Sequence, residues 1–288
     1  MTFVTRFAPS PTGPLHLGHA YSALLAHDMA QAAGGTFLLR IEDIDQTRAR
    51  AEWEKQINDD LHWLGLSWPK PVMRQSDRSD AYAVALDQLW ACGLLYTCTC
   101  NRRDIAAALS APQEGAEPLL GPDGPIYPGT CRPAKPLGTR QRPDGAMRLD
   151  MRAAIEMLSP SPLISFQETG TGPDGETGTI TCADLEHTVG DIVLSRKDFL
   201  GSYHLAVVLD DATQGVTHVV RGQDLFDATK IHVLLQSLLG LPTPLYHHHK
   251  LIRDDLGRRL AKRDDARAIA KYRAEGATPQ DIRQMVGL

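Results

Sequence analysis

Residues 7–19, Phe7-Ala8-Pro9-Ser10-Pro11-Thr12-Gly13-Pro14-Leu15-His16-Leu17-Gly18-His19, constrain this chain more than any other stretch. Three prolines and a glycine bar regular structure through Pro14, because proline fixes φ and has no N–H to donate. An apolar run at 3–7 leads in. Apolar residues at helical spacing (Leu17, Ala20, Leu24, Leu25) then continue to Gly34-Gly35. The pattern predicts strand, rigid loop, helix. A helix start presents unpaired N–H groups and a positive dipole end to whatever lies above the loop. His16 and His19 sit there, about one helical turn apart. Such an end suits a nucleotide triphosphate. An ordinary βα turn with two surface histidines gives the same spacing.

The next elements extend this unit. Thr36-Phe37-Leu38-Leu39-Arg40-Ile41 reads as a buried strand parallel to the first, ending in Glu42-Asp43-Ile44-Asp45. Carboxylates at the carboxyl end of a parallel strand lie where open α/β sheets bind ligands. Asp45 is expected to cap a helix from Thr47 onward, closing at Gly65. A helix start follows at Ser76-Asp77 and Asp80, and a short strand at Leu94-Leu95-Tyr96. Residues 110–145 are rich in proline and glycine and poor in apolar residues, so they read as an irregular insertion. Residues 169–178 read as a loop or hairpin tip. Strand-like Val216 to Gly222 precedes a helix from about Asp224 to Leu239, and 267–274 and 278–286 carry helical patterns.

Alternating strands and helices on both sides of an insertion predict a doubly wound, Rossmann-like parallel sheet of α/β class, split by a small insertion subdomain that binds zinc. The expected partition is 1–97 and 191–245 for the two halves of the catalytic domain and 98–190 for the insertion. Residues 246–288 hold a loop and the C-terminal helices.

Composition excludes several classes. The 288 residues are 42% hydrophobic and 23% charged, with a net charge of −5. That argues against a broadly basic nucleic-acid coat. A C-terminal cluster of arginines and lysines from Lys250 to Arg273 is interleaved with Asp254, Asp255, Asp264 and Asp265, so it serves equally well as a local basic face or a solvated helix surface. No stretch of about 18 apolar residues is present, and no signal-peptide pattern opens the chain. A cytoplasmic location without membrane contact is expected.

Three constellations carry chemistry. Cys98-Thr99-Cys100 and Cys131 supply three of five cysteines, and Tyr127 lies four residues before Cys131. Zinc takes four ligands, mostly thiolate or imidazole, and would order a segment with little core of its own. Cys92 and Cys182 stand apart and read as buried apolar residues. Arg6, Arg221 and Glu42 each end a strand-like run, so all three are expected at one sheet edge. Two cations and an acid suit an amino acid with two carboxylates and one ammonium. The run His247-His248-His249 has no thiol neighbour and reads as structural or adjacent to nucleotide.

His16-Leu17-Gly18-His19 resembles the HIGH signature of class I aminoacyl-tRNA synthetases, and Arg6-Phe7-Ala8-Pro9-Ser10-Pro11-Thr12-Gly13 resembles the glutamate-specific branch. Gly257-Arg258-Arg259-Leu260-Ala261-Lys262-Arg263 resembles the KMSKS loop, with Arg259 and Ala261 in place of the first lysine and the serine. The likeness runs along the whole chain and is greatest to the glutamyl-queuosine tRNA(Asp) synthetase family, which lacks the helical anticodon-binding region.

The resemblance implies activation of L-glutamate by ATP and Mg²⁺ without tRNA, then transfer to queuosine in the anticodon loop of tRNA(Asp) by a monomeric enzyme. It implies catalytic His16, His19 and Lys262, and ATP contacts from these and Gly18. Arg6, Ser10, Glu42, Tyr203 and Arg221 would hold glutamate. Cys98, Cys100, Tyr127 and Cys131 would hold one structural zinc. Transfer to another acceptor stays open, as does a non-catalytic nucleotide- or RNA-binding paralogue, which the altered lysine loop would favour.

Overall fold

The computed structural model describes residues 2–110, 119–134, 141–159, 164–197, 201–253 and 267–288. In chain order the strands are β1 (Val4–Phe7), β2 (Thr36–Ile41), β3 (Met73–Arg74), β4 (Leu95–Thr97), β5 (Leu120–Gly121), β6 (Gly124–Pro125), β7 (Met147–Leu149), β8 (Ser165–Glu168), β9 (Gly178–Thr181), β10 (Val193–Ser195), β11 (His218–Gly222) and β12 (Leu245–His249). The helices are α1 (Leu17–Ala32), α2 (Ala51–Trp63), α3 (Ser79–Ala91), α4 (Arg102–Ser110), α5 (Met151–Leu158), α6 (Leu185–Thr188), α7 (Tyr203–Thr213), α8 (Ala228–Leu239), α9 (Ile269–Ala274) and α10 (Pro279–Val286).

Two sets of parallel strands meet back to back. β1, β2 and β3 pair in that order, with Arg6 opposite Leu38 and Arg40 opposite Met73. β11, β12 and β8 run the other way outward, with Arg221 opposite His248, and β9 closes that edge antiparallel to β8. The two sets touch where Thr217 N donates to Val4 O at 2.9 Å. No ladder joins β1 to β11 beyond that point among the described residues. Strand order therefore reverses between β1 and β11, which is where open α/β sheets bind ligands.

Both faces of the sheet are covered. Neighbouring residues of a strand point to opposite faces. Val219 of β11 packs into a core with α3, α7 and α8, while Val220 packs into a second core with α1, α2, Ile269 and Ile282. Buried Ala20, Ala23, Ala26 and Ala30 line α1. After α1, a Cβ on Gly35 would stand 2.2 Å from Phe3 O, so only glycine fits where β2 joins β1.

Two expectations need correction. The helix after Glu42 starts at Ala51, not Thr47. Asp45 accepts from Thr47 Oγ1 at 2.6 Å and caps a turn, while Arg50 stays extended because its N–H donates to Pro11 O. Cys92 is exposed, since it is the C-cap of α3, where the chain turns away through Gly93 at φ +72°. Cys182 is buried as expected.

Between 98 and 190 the chain does two things. β7 pairs with β4 and β10 in an antiparallel sheet, and β5–β6 forms a hairpin. β8 instead pairs with β12.

Candidate active site

The carboxyl ends of β1, β2 and β11 and the start of α1 enclose a cleft of about 390 Å³. Arg6, His16, Gly18, His19, Ser22, Glu42, Tyr203, Arg221 and His249 line it. Seven of these are sequence-predicted site residues. Ser10 is half-buried in the loop, outside the lining residues.

The α1 end is built by its histidines. His16 is the N-cap, and its Nδ1 accepts from Gly18 N at 3.1 Å. His19 Nδ1 accepts from His16 N at 3.1 Å, which closes a capping box with imidazoles in place of the usual hydroxyl and carboxylate. With Nδ1 accepting, each neutral ring carries its proton on Nε2. The rings lie 3.8 Å apart between centroids. Gly18 has to be small here, because a Cβ would meet His16 Cε1 at 3.0 Å.

Opposite lie the ionic groups. Arg40 is fully buried and reaches Asp211 Oδ1 at 2.6 Å, Gln214 Oε1 at 3.0 Å and Glu42 Oε1 at 3.1 Å. Arg6 Nε shares the same Asp211 oxygen at 2.9 Å. Burial alone would raise the Asp211 carboxyl, but Arg6 and Arg40 hold it below its usual value. Glu42 is raised by burial, against the pull of Arg40 and Arg6.

Arg221 differs from both. It is 6% exposed and has no carboxylate partner among the described residues. Its Nε donates to His248 Nε2 at 3.1 Å, one terminal nitrogen meets His232 Nδ1 at 3.1 Å, and the other donates to Thr229 Oγ1 at 2.6 Å and to Leu225 O at 3.2 Å. His248 Nδ1 in turn lies 2.5 Å from Glu168 Oε2. Burial lowers both imidazoles, so they face Arg221 as neutral acceptors. A guanidinium held this way is oriented but not neutralised, and an entering carboxylate can complete it.

His249 closes the cleft beside α1. Its Nε2 lies 2.9 Å from Ser22 Oγ, and its Nδ1 meets Lys250 O at 2.9 Å. The sequence marked the histidine run as structural or nucleotide-adjacent, and the structure divides it, with His248 behind Arg221 and His249 on the wall. Asp211, Arg40, His232 and Glu168 were not singled out. Only the alternation Leu39-Arg40-Ile41 hinted that one face of β2 is polar.

Lys262 lies outside the described residues, as do Arg259 and Ala261. The flanking chain is tied to the cleft: Leu251 and Ile252 line it, and Ala268 bridges to His16 while Ile269 N donates to Leu15 O at 2.9 Å.

The predicted thiols converge. The sulfurs of Cys98, Cys100 and Cys131 all lie within 4.8 Å of one another. Tyr127 Oη is 3.4 Å from Cys100 Sγ and 3.6 Å from Cys98 Sγ, and it accepts from Cys131 N at 2.8 Å. Hydrogen bonding to Tyr127, with help from a Thr99 backbone bond, pulls the Cys131 thiol down to about 6. Three thiols and a phenol at these spacings suit a soft four-coordinate ion.

Comparison with known proteins identifies the class. Residues 2–288 match the family described as tRNA synthetases class I (E and Q), catalytic domain, so this chain belongs to that family of ligases. Among curated relatives, the glutamyl-Q tRNA(Asp) synthetase of Rhodobacter capsulatus is 60% identical over 99% of this chain and 100% of its own length. The one from Symbiobacterium thermophilum is 42% identical over 96% of this chain and 83% of its own. Two solved structures share the fold. The glutamate-tRNA synthetase of Elizabethkingia anophelis has a TM-score of 0.75 at 25% identity, and a glutamate tRNA ligase from Elizabethkingia meningosepticum, in complex with its amino acid, has 0.74 at 26%. All of this chain is covered, but it spans only 61% of each of those two chains. No helix among the described residues is long and apolar enough to cross a membrane.

Proposed function

We propose that this chain activates L-glutamate with ATP and transfers it to the queuosine of tRNA(Asp), the activity for which its curated relatives are named. The observation that carries the reading is the convergence of Arg6, Glu42 and an uncompensated Arg221 on the same cleft as the histidine-capped start of α1. Glutamate brings two carboxylates and one ammonium. Arg221, with Arg6 beside it, takes the carboxylates, Tyr203 adds a phenol, and Glu42 takes the ammonium. Ser10 contributes from the loop.

The α-carboxylate is already ionised, so activation needs no general base. It attacks the α-phosphorus of ATP in line and expels pyrophosphate. His16, His19, the N–H groups at the start of α1 and Lys262 hold the phosphate charge that develops, and Mg²⁺ accompanies ATP as part of the substrate. Lys262 joins this set on the likeness of Gly257-Arg258-Arg259-Leu260-Ala261-Lys262-Arg263 to the KMSKS loop. A hydroxyl of the modified nucleoside in the anticodon loop then attacks the carbonyl carbon of the glutamyl adenylate, forming the ester, breaking the acyl–phosphate bond and releasing AMP and a proton. The enzyme works as a monomer in the cytoplasm.

Cys98, Cys100, Tyr127 and Cys131 hold one zinc ion, which cross-links the insertion. A glutamate-dependent ATP–pyrophosphate exchange measured without tRNA tests the activation step. Exchange is expected with glutamate alone among the amino acids, followed by glutamylation of queuosine-bearing tRNA(Asp) and not of the unmodified transcript. Absence of exchange in both this chain and its Ala261→Ser variant would sink the reading.

A further inference from the structure

Behind Arg221 the hydrogen bonds continue past His232 to the surface. His232 Nε2 lies 3.1 Å from His204 Nδ1, and His204 Nε2 lies 2.9 and 3.0 Å from the two oxygens of Asp123. His204 and His232 are 5% and 1% exposed, whereas the Asp123 side chain is 58% exposed. Both imidazoles pack edge-on against Tyr203, a wall of the cleft. Asp123 sits in the turn of the β5–β6 hairpin, four residues before Tyr127 of the thiol cluster.

The chemistry of the end groups determines every proton in this row. A guanidinium can only donate, so His232 Nδ1 accepts. A neutral His232 then carries its proton on Nε2 and donates to His204 Nδ1. His204 must carry its own proton on Nε2, where the Asp123 carboxylate accepts it. Reversing any one tautomer sets two donors face to face at Arg221 or two acceptors at Asp123. The order is therefore Arg221 → His232 → His204 → Asp123, with each arrow a donated hydrogen bond. The carboxylate that anchors the row stands two imidazole rings away from the guanidinium, so it orients Arg221 without forming an ion pair with it.

We propose that Asp123, His204 and His232 are positioning residues for glutamate, and that through them the insertion sets the orientation of Arg221 in the amino-acid pocket. This rests on the glutamate reading and deepens it. Glu168 backs His248 in the same way on the other side of Arg221. Asp123 differs because it stands on the exposed β5–β6 hairpin, whereas Glu168 is buried at the end of β8 beside β12. Order in the thiol-bearing segment is thereby felt in the pocket, and glutamate affinity is the quantity it controls.

The test combines kinetics with histidine spectroscopy on the full chain. Asp123→Ala is expected to raise the KM for glutamate about tenfold in pyrophosphate exchange, while the KM for ATP and kcat change by less than about twofold. Asp123→Asn keeps an acceptor oxygen and is expected to return the glutamate KM to within about threefold of the parent. Because Asp123 is largely exposed and water can take its place beside His204, Asp123→Ala should lower the thermal midpoint by no more than a few degrees and Asp123→Asn by less. Long-range proton–nitrogen spectra of histidine-labelled protein, assigned with His204→Gln and His232→Gln, should show both rings protonated on Nε2 alone. Because Arg221 fixes both tautomers from its own end, Asp123→Ala should keep them but shift the His204 Nε2–H resonance and speed its exchange with water.

An unchanged glutamate KM in Asp123→Ala overturns the proposal. So does a loss shared equally by glutamate, ATP and thermal stability, which would mark Asp123 as merely structural. A proton on His232 Nδ1 in the parent protein overturns it as well. If the parent gives no exchange at all, the glutamate reading fails, and the nitrogen spectra still decide the hydrogen-bond row.

Discussion

Two arginines line the pocket and a third is buried behind it, and their partners separate their tasks. Arg40 is committed to Asp211, Gln214 and Glu42, whereas Arg6 gives Asp211 only its Nε and has its terminal nitrogens to offer a carboxylate. Arg221 is gripped by two imidazoles, a hydroxyl and a carbonyl, none of which is charged. Lysine cannot reproduce that grip, because an ammonium has no planar fork. Arg221→Lys is therefore expected to raise the KM for glutamate by about 30-fold or more in pyrophosphate exchange, with the KM for ATP nearly unchanged. The assignment fails if both constants move together. Arg6, Glu42 and Arg221 were legible in the chain because each ends a strand-like run. His204 and His232 were not. They lie on α7 and α8, and their meaning depends on which atoms they meet.

At the scale of elements, the strand, loop and helix at the N-terminus followed directly from proline, glycine and apolar spacing. The start of α2 did not. It depends on a hydrogen bond from Arg50 to Pro11 O, which no local pattern encodes. The segment that carries the thiols shows the opposite balance. Its thiols were legible as a set, and Cys98, Cys100 and Cys131 do converge, while Arg148 adds a bond to Cys98 Sγ at 3.3 Å and lies 3.8 Å over the Tyr127 ring. With so small an apolar cluster around them, an ion would supply much of the local order. Purified protein is expected to hold one zinc per chain by elemental analysis. Cys131→Ser or prolonged chelation should remove it, lower the thermal midpoint and expose the remaining cluster thiols to titration. Full stability with no bound metal would refute the zinc assignment.

At the scale of the molecule, two cores flank one sheet, and the C-terminal helices complete the second of them through Ile269 and Ile282. Arg283 ties α10 to Asp28 of α1 at 2.7 Å and 2.9 Å. Asp60 of α2 is fully buried there, with neither oxygen hydrogen-bonded and Arg273 of α9 as far as 4.0 Å away. Burial pushes its carboxyl up to about 6 from an ordinary 3.8, against the pull of Arg273. The folded state then holds this proton more tightly than the unfolded chain does, so stability falls as pH rises through that interval and is level above it. Asp60→Asn is expected to raise the thermal midpoint at neutral pH, with the advantage shrinking in acidic buffer below the folded value. A penalty at neutral pH would mean that the distant Arg273 outweighs desolvation.

Sequence alone determined the alternation of strands and helices, the turn that opens α1, and the identity of the charged residues at the strand ends, because these follow from backbone sterics and residue period. Only the tertiary structure decided that β1 and β11 stand side by side. It also decided that Arg6 meets Asp211 while Arg221 is held by uncharged groups, and that a carboxylate on a distant hairpin faces a buried imidazole. Charge balance in a cleft depends on distances between segments up to some 200 residues apart, as between Arg6 and Asp211, and those distances exist only once the chain has packed.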